Sequence, residues 1–462
     1  MKETPMGFFA AAFLALLISP AVHGEDWVYT IDYGEVTITG YTGTDSTVRV
    51  PSRIEGFPVT AMVTPMFWQK PGITNIVLPE TVTNIETAVF AYCYWLTAID
   101  VLPDNPAYIS HFGILFDHEQ TTIIRYPIAK SGSYRIPDGV TRVAPCCFWE
   151  CTNLTSITIP DTVTNLDEYA FAACTSLADV AFGTNLTVVG ATCFRGCTNL
   201  TNVCLPPNVE AIGDSAFAAC ASLTNITLPS HLDSIQTAAF SGCSRLNAIT
   251  IPDTVTHLWS GAFSGCTNLN RVTIPDSVSF FDDFVFRGCS SLTNVSIGCR
   301  VGAISDRAFA GCTSLRYLTI PKTVRRIERW AFMDCSKLTG VFFSGNSPSI
   351  PSPLAVFPGA TNATVYYLPG TTNWAGTFAG RPAVLWNPGI NTSDAPFGVQ
   401  GGQFQFNITG TPGIPIVVER SPTLTARSWT AMQNCTLTNG CVFFGDPGCN
   451  SFPSLFYRIR SP

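Results

Sequence analysis

The sequence predicts a mostly β repeat solenoid of the α+β type, a parallel-strand array followed by a small all-β sandwich domain. Three observations lead to this fold class. A phenylalanine recurs every 23 residues, a short strand-like segment follows each one, and the period stops near residue 340. A unit of this size cannot bury its apolar side chains alone, so consecutive units must stack around a shared core.

The repeat is defined by three positions. Nine phenylalanines stand 23 residues apart, and a cysteine and a leucine follow each after three and six residues. The phenylalanines are Phe148, Phe171, Phe194, Phe217, Phe240, Phe263, Phe286, Phe309 and Phe332. The cysteines are Cys151, Cys174, Cys197, Cys220, Cys243, Cys266, Cys289, Cys312 and Cys335. Two earlier units, 23 residues apart from each other, share the same internal spacing, Phe90-Cys93-Leu96 and Phe67 with Ile73.

A single unit shows why these positions face inward. Ile157 and Ile159 alternate with polar residues, which indicates a short strand. Pro160 then ends the strand, because proline cannot donate to a sheet ladder. The segment from Ala170 to Cys174 has the spacing of either a helical turn or a tight turn. Each unit therefore supplies one strand, a return path and one corner.

The motif Ala-Phe-x-x-Cys-x-x-Leu-x-x-Ile-x-Ile-Pro-x-x-Val resembles the BspA-like class of leucine-rich repeats over about residues 27–340. An insertion at about 103–137 looks like the hairpin-bearing unit of that family, and residues 25–66 look like its N-terminal cap with the first repeat strands. The resemblance implies a leucine-rich-repeat array over 67–340. It also implies a bacterial surface or secreted protein in adhesion, with no catalytic residue in the repeat.

The N-terminus predicts secretion. Residues 1–24 combine Lys2, an apolar run from Phe8 to Ile18 and small residues before Glu25, the pattern of a cleaved signal peptide. The apolar run is shorter than the roughly 20 residues that a membrane span needs. We therefore expect a secreted or cell-surface protein without a transmembrane segment in the mature chain.

Past the repeats, three further segments are predicted. Residues 341–387 are rich in proline, glycine and aromatic residues and are interpreted as a C-terminal cap. Residues 388–400 have the composition of a linker, where limited proteolysis is expected to cut first. Residues 401–462 contain four alternating segments typical of a small β-sandwich module.

The cysteines allow two interpretations. Ten of the 18 cysteines, Cys93 and the nine repeat cysteines, occupy one inward position. Stacked copies come within disulfide range, but parallel Cβ vectors suit a bond poorly, so a ladder of buried reduced thiols is favoured over serial disulfides. A linear ladder also makes a poor tetrahedral zinc site. Cys435, Cys441 and Cys449 leave room for one disulfide and a spare thiol in the last module.

Composition and motifs argue against several functions. The net charge is −7 with 32 acidic and 25 basic residues, so we expect no nucleic-acid partner. No nucleophile elbow, phosphate loop or zinc-protease motif occurs, and His118-Glu119 and Asp282-Asp283 are interpreted as turn or surface residues. We therefore expect no catalytic residues, no bound metal and no cofactor.

The outward strand position, eight residues after each phenylalanine, is the candidate ligand-binding face. Its candidate residues are Asn202, Asn225, Arg271, Asn294 and Tyr317. They fit a platform for an extracellular protein or glycan ligand, while a solvated sheet face without a ligand explains them as well. The expected function is non-catalytic interaction in adhesion. The alternatives are a structural envelope or matrix component and, third, an enzyme with a site in the caps.

Overall fold

The structure, a computed structural model, describes residues 22–24, 26–63, 66–68, 70–352, 355–393, 396–425, 429–452 and 454–462. Residues 1–21 of the predicted signal peptide lie outside the described residues. Val22–Gly24 forms a strand antiparallel to Trp27–Asp32. No helix in the described part of the chain has the length and apolarity to cross a membrane.

The repeats form a β-solenoid of stacked parallel strands, as the 23-residue period predicts. The chain divides into two compact units, residues 1–199 and 200–462. In the first unit, the strand Leu154–Thr158 pairs in parallel with Gly132–Arg135 and Asp179–Ala181 of the neighbouring coils. On the return path of the same coil, Asn165–Leu166 pairs with Arg142–Val143 and Val188–Val189.

We call these two strands of a coil strand A and strand B. The strands A are Thr47–Arg49, Asn75–Leu78, Ala98–Val101, Gly132–Arg135, Leu154–Thr158, Asp179–Ala181, Asn202–Cys204, Asn225–Thr227, Arg271–Thr273, Asn294–Ser296, Tyr317–Ile320, Gly340–Phe343, Thr364–Tyr367 and Arg381–Leu385. The strands B are Thr122–Arg125, Arg142–Val143, Asn165–Leu166, Val188–Val189, Ala211–Ile212, Ser234–Ile235, His257–Leu258, Phe280–Phe281, Ala303–Ile304 and Arg326–Ile327.

The N-terminal cap is a separate sheet of the first unit. Its strands are Val22–Gly24, Trp27–Asp32, Glu35–Tyr41, Arg53–Ile54, Phe57–Met62 and Asn84–Ile85. The predicted insertion contains an antiparallel hairpin of Tyr108–His111 and Ile114–Asp117, and the second strand also pairs with Thr122–Arg125. The cap core continues into the first coils through Tyr41, Phe67 and Phe90.

The third side of each coil is a tight turn around its phenylalanine, and the described residues contain no α-helix. The residues two before and two after the phenylalanine both have positive φ, for example Ala238 and Gly242 around Phe240. The amides of these residues and of the phenylalanine all point to the next coil. Ala238 donates to Ser260, Phe240 to Ala262 and Gly242 to Ser264, at 2.7–2.9 Å. Left-handed residues on both sides of the phenylalanine thus turn alternate amides toward the next coil and create a third backbone ladder.

The phenylalanines stack face to face inside these corners. In the second unit, ring centroids of successive phenylalanines from Phe217 to Phe332 lie 5.4–5.8 Å apart with planes within 12°. In the first unit, Phe148 and Phe171 stack at 4.7 Å. All nine side chains are fully buried. The column explains the 23-residue period, since each ring must meet its copy in the next coil.

The repeat cysteines form a second column. Seven of these thiols donate to the carbonyl of the phenylalanine one coil earlier, and Cys174 thus bonds Phe148 and Cys243 bonds Phe217 at 3.0 and 3.1 Å. The same bond recurs at 3.1–3.3 Å for Cys197, Cys266, Cys289, Cys312 and Cys335. Burial raises the pKa of Cys243 and Cys289 to about 12. A buried thiol is small enough for this space and still supplies one weak donor.

Two places depart from the period without interrupting the column. At the insertion, Tyr126 takes the ring position and stacks on Phe148 at 4.9 Å. The buried Arg125 donates to the carbonyls of Phe90 and Cys146. In a regular coil, the phenylalanine carbonyl would accept a cysteine thiol instead. At the other end, Phe357 stacks on Phe332 at 5.2 Å, which adds a coil inside the predicted cap 341–387.

The C-terminal residues differ from the separate module predicted at 401–462. One sheet contains Gly389–Asn391, Gly398–Gln400, Gln403–Thr409 and Cys441–Asp446. A second contains Pro415–Ser421, Thr430–Thr436 and Phe456–Arg460, and Cys449–Ser451 is a 3₁₀ turn. We call these two sheets the C-terminal module.

Two of the module strands, Gly389–Asn391 and Gly398–Gln400, lie inside the predicted linker 388–400. Both pair with Gln403–Thr409, so this segment belongs to the module. The module core is not independent of the coils either. Phe406, Ile416 and Phe444 of the module belong to one buried cluster with Phe342 and Tyr366 of the strands A. Apolar side chains of the module and of the coils thus share a single core. A module joined to the coils only by a flexible linker would not share one.

The corner geometry predicts different effects for two glycines. Gly265 has φ +74°, whereas Gly302 has no positive φ and open space where a Cβ would project. Gly265→Ala should lower the free energy of unfolding by about 1 kcal/mol, because left-handed backbone is costly for a residue with a Cβ. Gly302→Ala should be neutral or slightly stabilising. Urea denaturation of both variants measures the change in the free energy of unfolding. Equal losses of stability in the two variants would contradict the requirement for left-handed backbone at Gly265.

The thiol column predicts a loss of stability in alkali. A folded-state pKa of about 12 lies above the ordinary value of 9.0, so the folded thiol keeps its proton where the unfolded one ionises. The contribution of each buried thiol to the free energy of unfolding is therefore fully present below pH 9. It is lost as the pH rises from 9 through 12, by about 1.4 kcal/mol per pH unit for each thiol. Denaturant unfolding at a series of pH values measures the slope.

Cys243→Ala serves as the comparison for that slope. At neutral pH it should cost about 1 kcal/mol, as expected for a small cavity and one weak hydrogen bond. In alkali, the free energy of unfolding of this variant should fall less steeply with pH than that of the parent, by the contribution of one thiol. The buried tyrosines contribute equally to both proteins and cancel in the comparison. Identical slopes, or a denatured free-thiol count near zero, would mean that these side chains are not protonated packing groups.

Candidate binding face on the outward side of strands A

Four of the five predicted binding residues lie exposed at equivalent positions of strands A. They are Asn202, Asn225, Arg271 and Asn294, and each opens its strand. Asn202 pairs with Asn225 in register, and Arg271 pairs with Asn294. The structure thus brings the residues into two neighbouring pairs, one residue to a coil.

Strand alternation fixes the direction of these side chains. The next residue of each strand is buried, as Val203, Ile226, Val272 and Val295 show. The residue after that is exposed again, which adds a second outward row of Cys204, Thr227, Thr273 and Ser296. Arg271 is the one charged residue in these four strands. The face is therefore polar, weakly charged and held by a rigid core.

A cleft of ≈600 Å³ divides this face. It is lined by residues 225–228 and 230 of one coil and 248–254 of the next. The coil after Phe240 has no strand A in the described structure, and on this side its β-pairing with the following coil is reduced to the isolated bridge between Ala248 and Arg271. Asn225–Thr227 pairs with Asn202–Cys204 on one side only, so its other edge faces the cleft, where backbone groups could hydrogen-bond an extended ligand.

Sequence reasoning missed this cleft. Ala248 is small where the outward positions of the nearest coils carry asparagine or arginine, but Ala98 is equally small in a fully paired strand, so the residue type alone does not indicate a cleft. Ile249 and Ile251 keep the floor of the cleft apolar, since both remain buried. The break in strand pairing itself leaves no trace in the 23-residue spacing.

Tyr317, the fifth predicted residue, lies against the C-terminal module and not in the open row. It is half-buried, with its ring centroid 6.3 Å from that of Phe342, and it packs against the core of the C-terminal module. In the same strand, the hydroxyl oxygen of Thr319 lies 3.1 Å from that of Ser461. The module thus covers the outward face from Tyr317 onward. Aromatic residues at outward positions, Phe342 and Tyr366, were the available signal.

The two acid–base fragments lie apart from any reactive arrangement. The His118 Nδ1 atom lies 3.0 Å from the carbonyl oxygen of Asn105. The Asp283 carboxylate accepts the amide of Asp306, and its pKa is raised by burial and by neighbouring carboxylates, among them Asp282. In the described ranges, no group of three histidine, cysteine or acidic side chains could hold a metal ion.

The cysteines fall into distinct environments. All eighteen are free thiols in the structure, and the nine repeat cysteines are buried in the core. Cys204, Cys299 and Cys441 are exposed, whereas Cys435 and Cys449 are half-buried. Cys204 is of interest because it lies on the candidate face, two residues after Asn202.

Comparison with known proteins agrees with this architecture. The family model of the BspA type leucine rich repeat region matches residues 60–127, 129–246 and 210–339, in six copies. A leucine-rich repeat protein from Bacteroides ovatus ATCC 8483 is similar in structure. It has 25% identity, a TM-score of 0.50 and coverage of 75% of this chain and 94% of that one.

A leucine rich cell surface protein from Faecalibacterium prausnitzii A2-165 is also similar. It has 21% identity, a TM-score of 0.40, and coverage of 76% of this chain and 95% of its own. Among curated proteins, none matches the sequence. The family model covers more than half of the residues and coincides with the stacked coils. The chain therefore belongs to the BspA-type leucine-rich repeat family.

Proposed function

We propose that this protein is a secreted or cell-surface adhesion protein that binds an extracellular protein or glycan through its outward strand A face. The observation that carries the proposal is the exposed row of Asn202, Asn225, Arg271 and Asn294 on rigid, parallel strands. Amide side chains both donate and accept hydrogen bonds, and they suit a ligand without strong charge.

Three further points support the proposal. Membership of a leucine-rich repeat family favours a protein-interaction role and argues for a non-catalytic one. The signal-peptide pattern of residues 1–24 favours export. The cleft beside Asn225 supplies a concave site with an apolar floor and backbone hydrogen-bonding groups, which a flat solvated sheet would lack.

The first test combines a ligand screen with two arginine variants. Purified residues 25–462 are screened against extracellular matrix proteins and glycan arrays, and the strongest ligand is titrated by calorimetry. Arg271→Ala should weaken binding at least tenfold, about 1.4 kcal/mol. Arg245→Ala is the matched control, because Arg245 is equally exposed one coil earlier but lies outside any strand. Absence of binding across the screen would favour a structural matrix role.

The second test blocks the face chemically. Cys204 lies on the outward face, whereas Cys299 is exposed in a turn, where its amide bonds the Asp276 carboxylate. Cys204→Ser and Cys299→Ser are each reacted with a bulky maleimide under native conditions. Labelled Cys299→Ser should lose ligand binding because its Cys204 is modified, and labelled Cys204→Ser should retain it. Equal binding by both labelled proteins would place the ligand elsewhere.

A further inference from the structure

A second concave site lies where the C-terminal module meets the coils. The cavity has a volume of ≈230 Å³ and is lined by Thr319, Phe342, Tyr366, Trp386, Arg460 and Ser461, among others. It lies beyond the open row that ends at Asn294–Ser296, so it is separate from the proposed binding face. Its volume is below the roughly 300–1,000 Å³ of sites for drug-sized ligands, and it suits one small ring.

Two of its walls are aromatic and held in place. Phe342 and Tyr366 stack with centroids 4.7 Å apart and planes at 13°, and both are buried. Trp386 stands at 81° to Phe342, 6.0 Å away, and its indole N–H donates to the carbonyl of Pro415 at 3.0 Å. The negative faces of such rings attract the polarised C–H groups of a sugar ring.

A third wall carries a net positive charge. The buried Glu419 carboxylate pairs with two guanidinium groups, Arg458 at 2.8 Å and Arg460 at 2.6 Å, so one positive charge remains uncompensated there. Arg460 uses Nε for Glu419 and Nη1 for the carbonyl of Ser461. Its Nη2 has no hydrogen-bond partner within the described part of the chain, and 43% of the side chain is exposed. That nitrogen is available to a ligand anion.

We propose that this cavity binds one hexuronate residue of an acidic polysaccharide. The pyranose ring lies against the aromatic walls and its carboxylate accepts from Arg460, since guanidinium–carboxylate hydrogen bonds are the strong, directional ones. The hydroxyl groups of Thr319 and Ser461 stand at the cavity for the sugar hydroxyls. A neutral sugar would leave the charge unmatched, and a simple carboxylate would leave the aromatic walls unused.

The experiment titrates the folded protein with D-glucuronate, D-glucose and acetate, observed by ligand-detected NMR. Arg460→Gln should weaken glucuronate binding at least tenfold. Arg458→Gln is the matched control, because it removes the same charge from the same Glu419, yet its guanidinium stacks on Trp429 at 4.4 Å and does not line the cavity. Binding by Arg458→Gln should stay within twofold of the parent.

Several results would overturn the proposal. They are no glucuronate binding by the parent, equal binding of glucose, acetate binding as tight as glucuronate, or equal losses in both arginine variants. Thermal unfolding of each variant checks that the module remains docked. If Arg460→Gln does not fold, Arg460→Lys keeps the charge but loses the planar donor pair, and unchanged glucuronate affinity in that variant would overturn the proposal as well.

Discussion

The fold depends on the backbone hydrogen bonds that join successive phenylalanine corners. The carbonyls of the repeat phenylalanines accept the amide of their own cysteine, and seven of them also accept the thiol of the next coil, as Phe217 does from Cys220 and Cys243. Corner amides at alternate residues reach the following coil, which requires left-handed backbone two residues either side of the ring. Strands A and B are short, so this third ladder keeps coils in register even where strand pairing is broken.

That constraint separates the structural positions from the variable ones. Within a corner, a change in the spacing between ring, thiol and amides would misalign all three at once, so the inward residues of the regular coils are constrained in type. The outward residues of strands A have none of these requirements, so Asn225, Arg271 and Ser296 can differ in size and charge without affecting the core. A repeat whose core is set by the corner can therefore vary its outer face to suit a ligand.

The 23-residue period was sufficient to predict the solenoid, the inward cysteines and the exposure of Asn202, Asn225, Arg271 and Asn294. It could not reveal Tyr126 or Phe357 as members of the ring column, because they lie 22 residues before Phe148 and 25 after Phe332. Backbone contacts across coils accommodate such local length changes, whereas a fixed spacing does not. The cleft and the docked module were also missed, since both depend on tertiary contacts that periodicity does not encode.

The docked module explains why outward residues change character along the chain. In the strands Arg271–Thr273 and Asn294–Ser296 the outward side chains are polar, whereas later strands A place the aromatic Tyr317, Phe342 and Tyr366 on this side. Exposure of these aromatic side chains to water would be unfavourable. They are instead packed against Phe406, Ile416 and Phe444 of the module in one shared core. A small two-sheet module buries little apolar surface by itself, so borrowing one face of the coils stabilises it. The aromatic cavity lies at the edge of this shared core, where Phe342, Tyr366 and Trp386 line it.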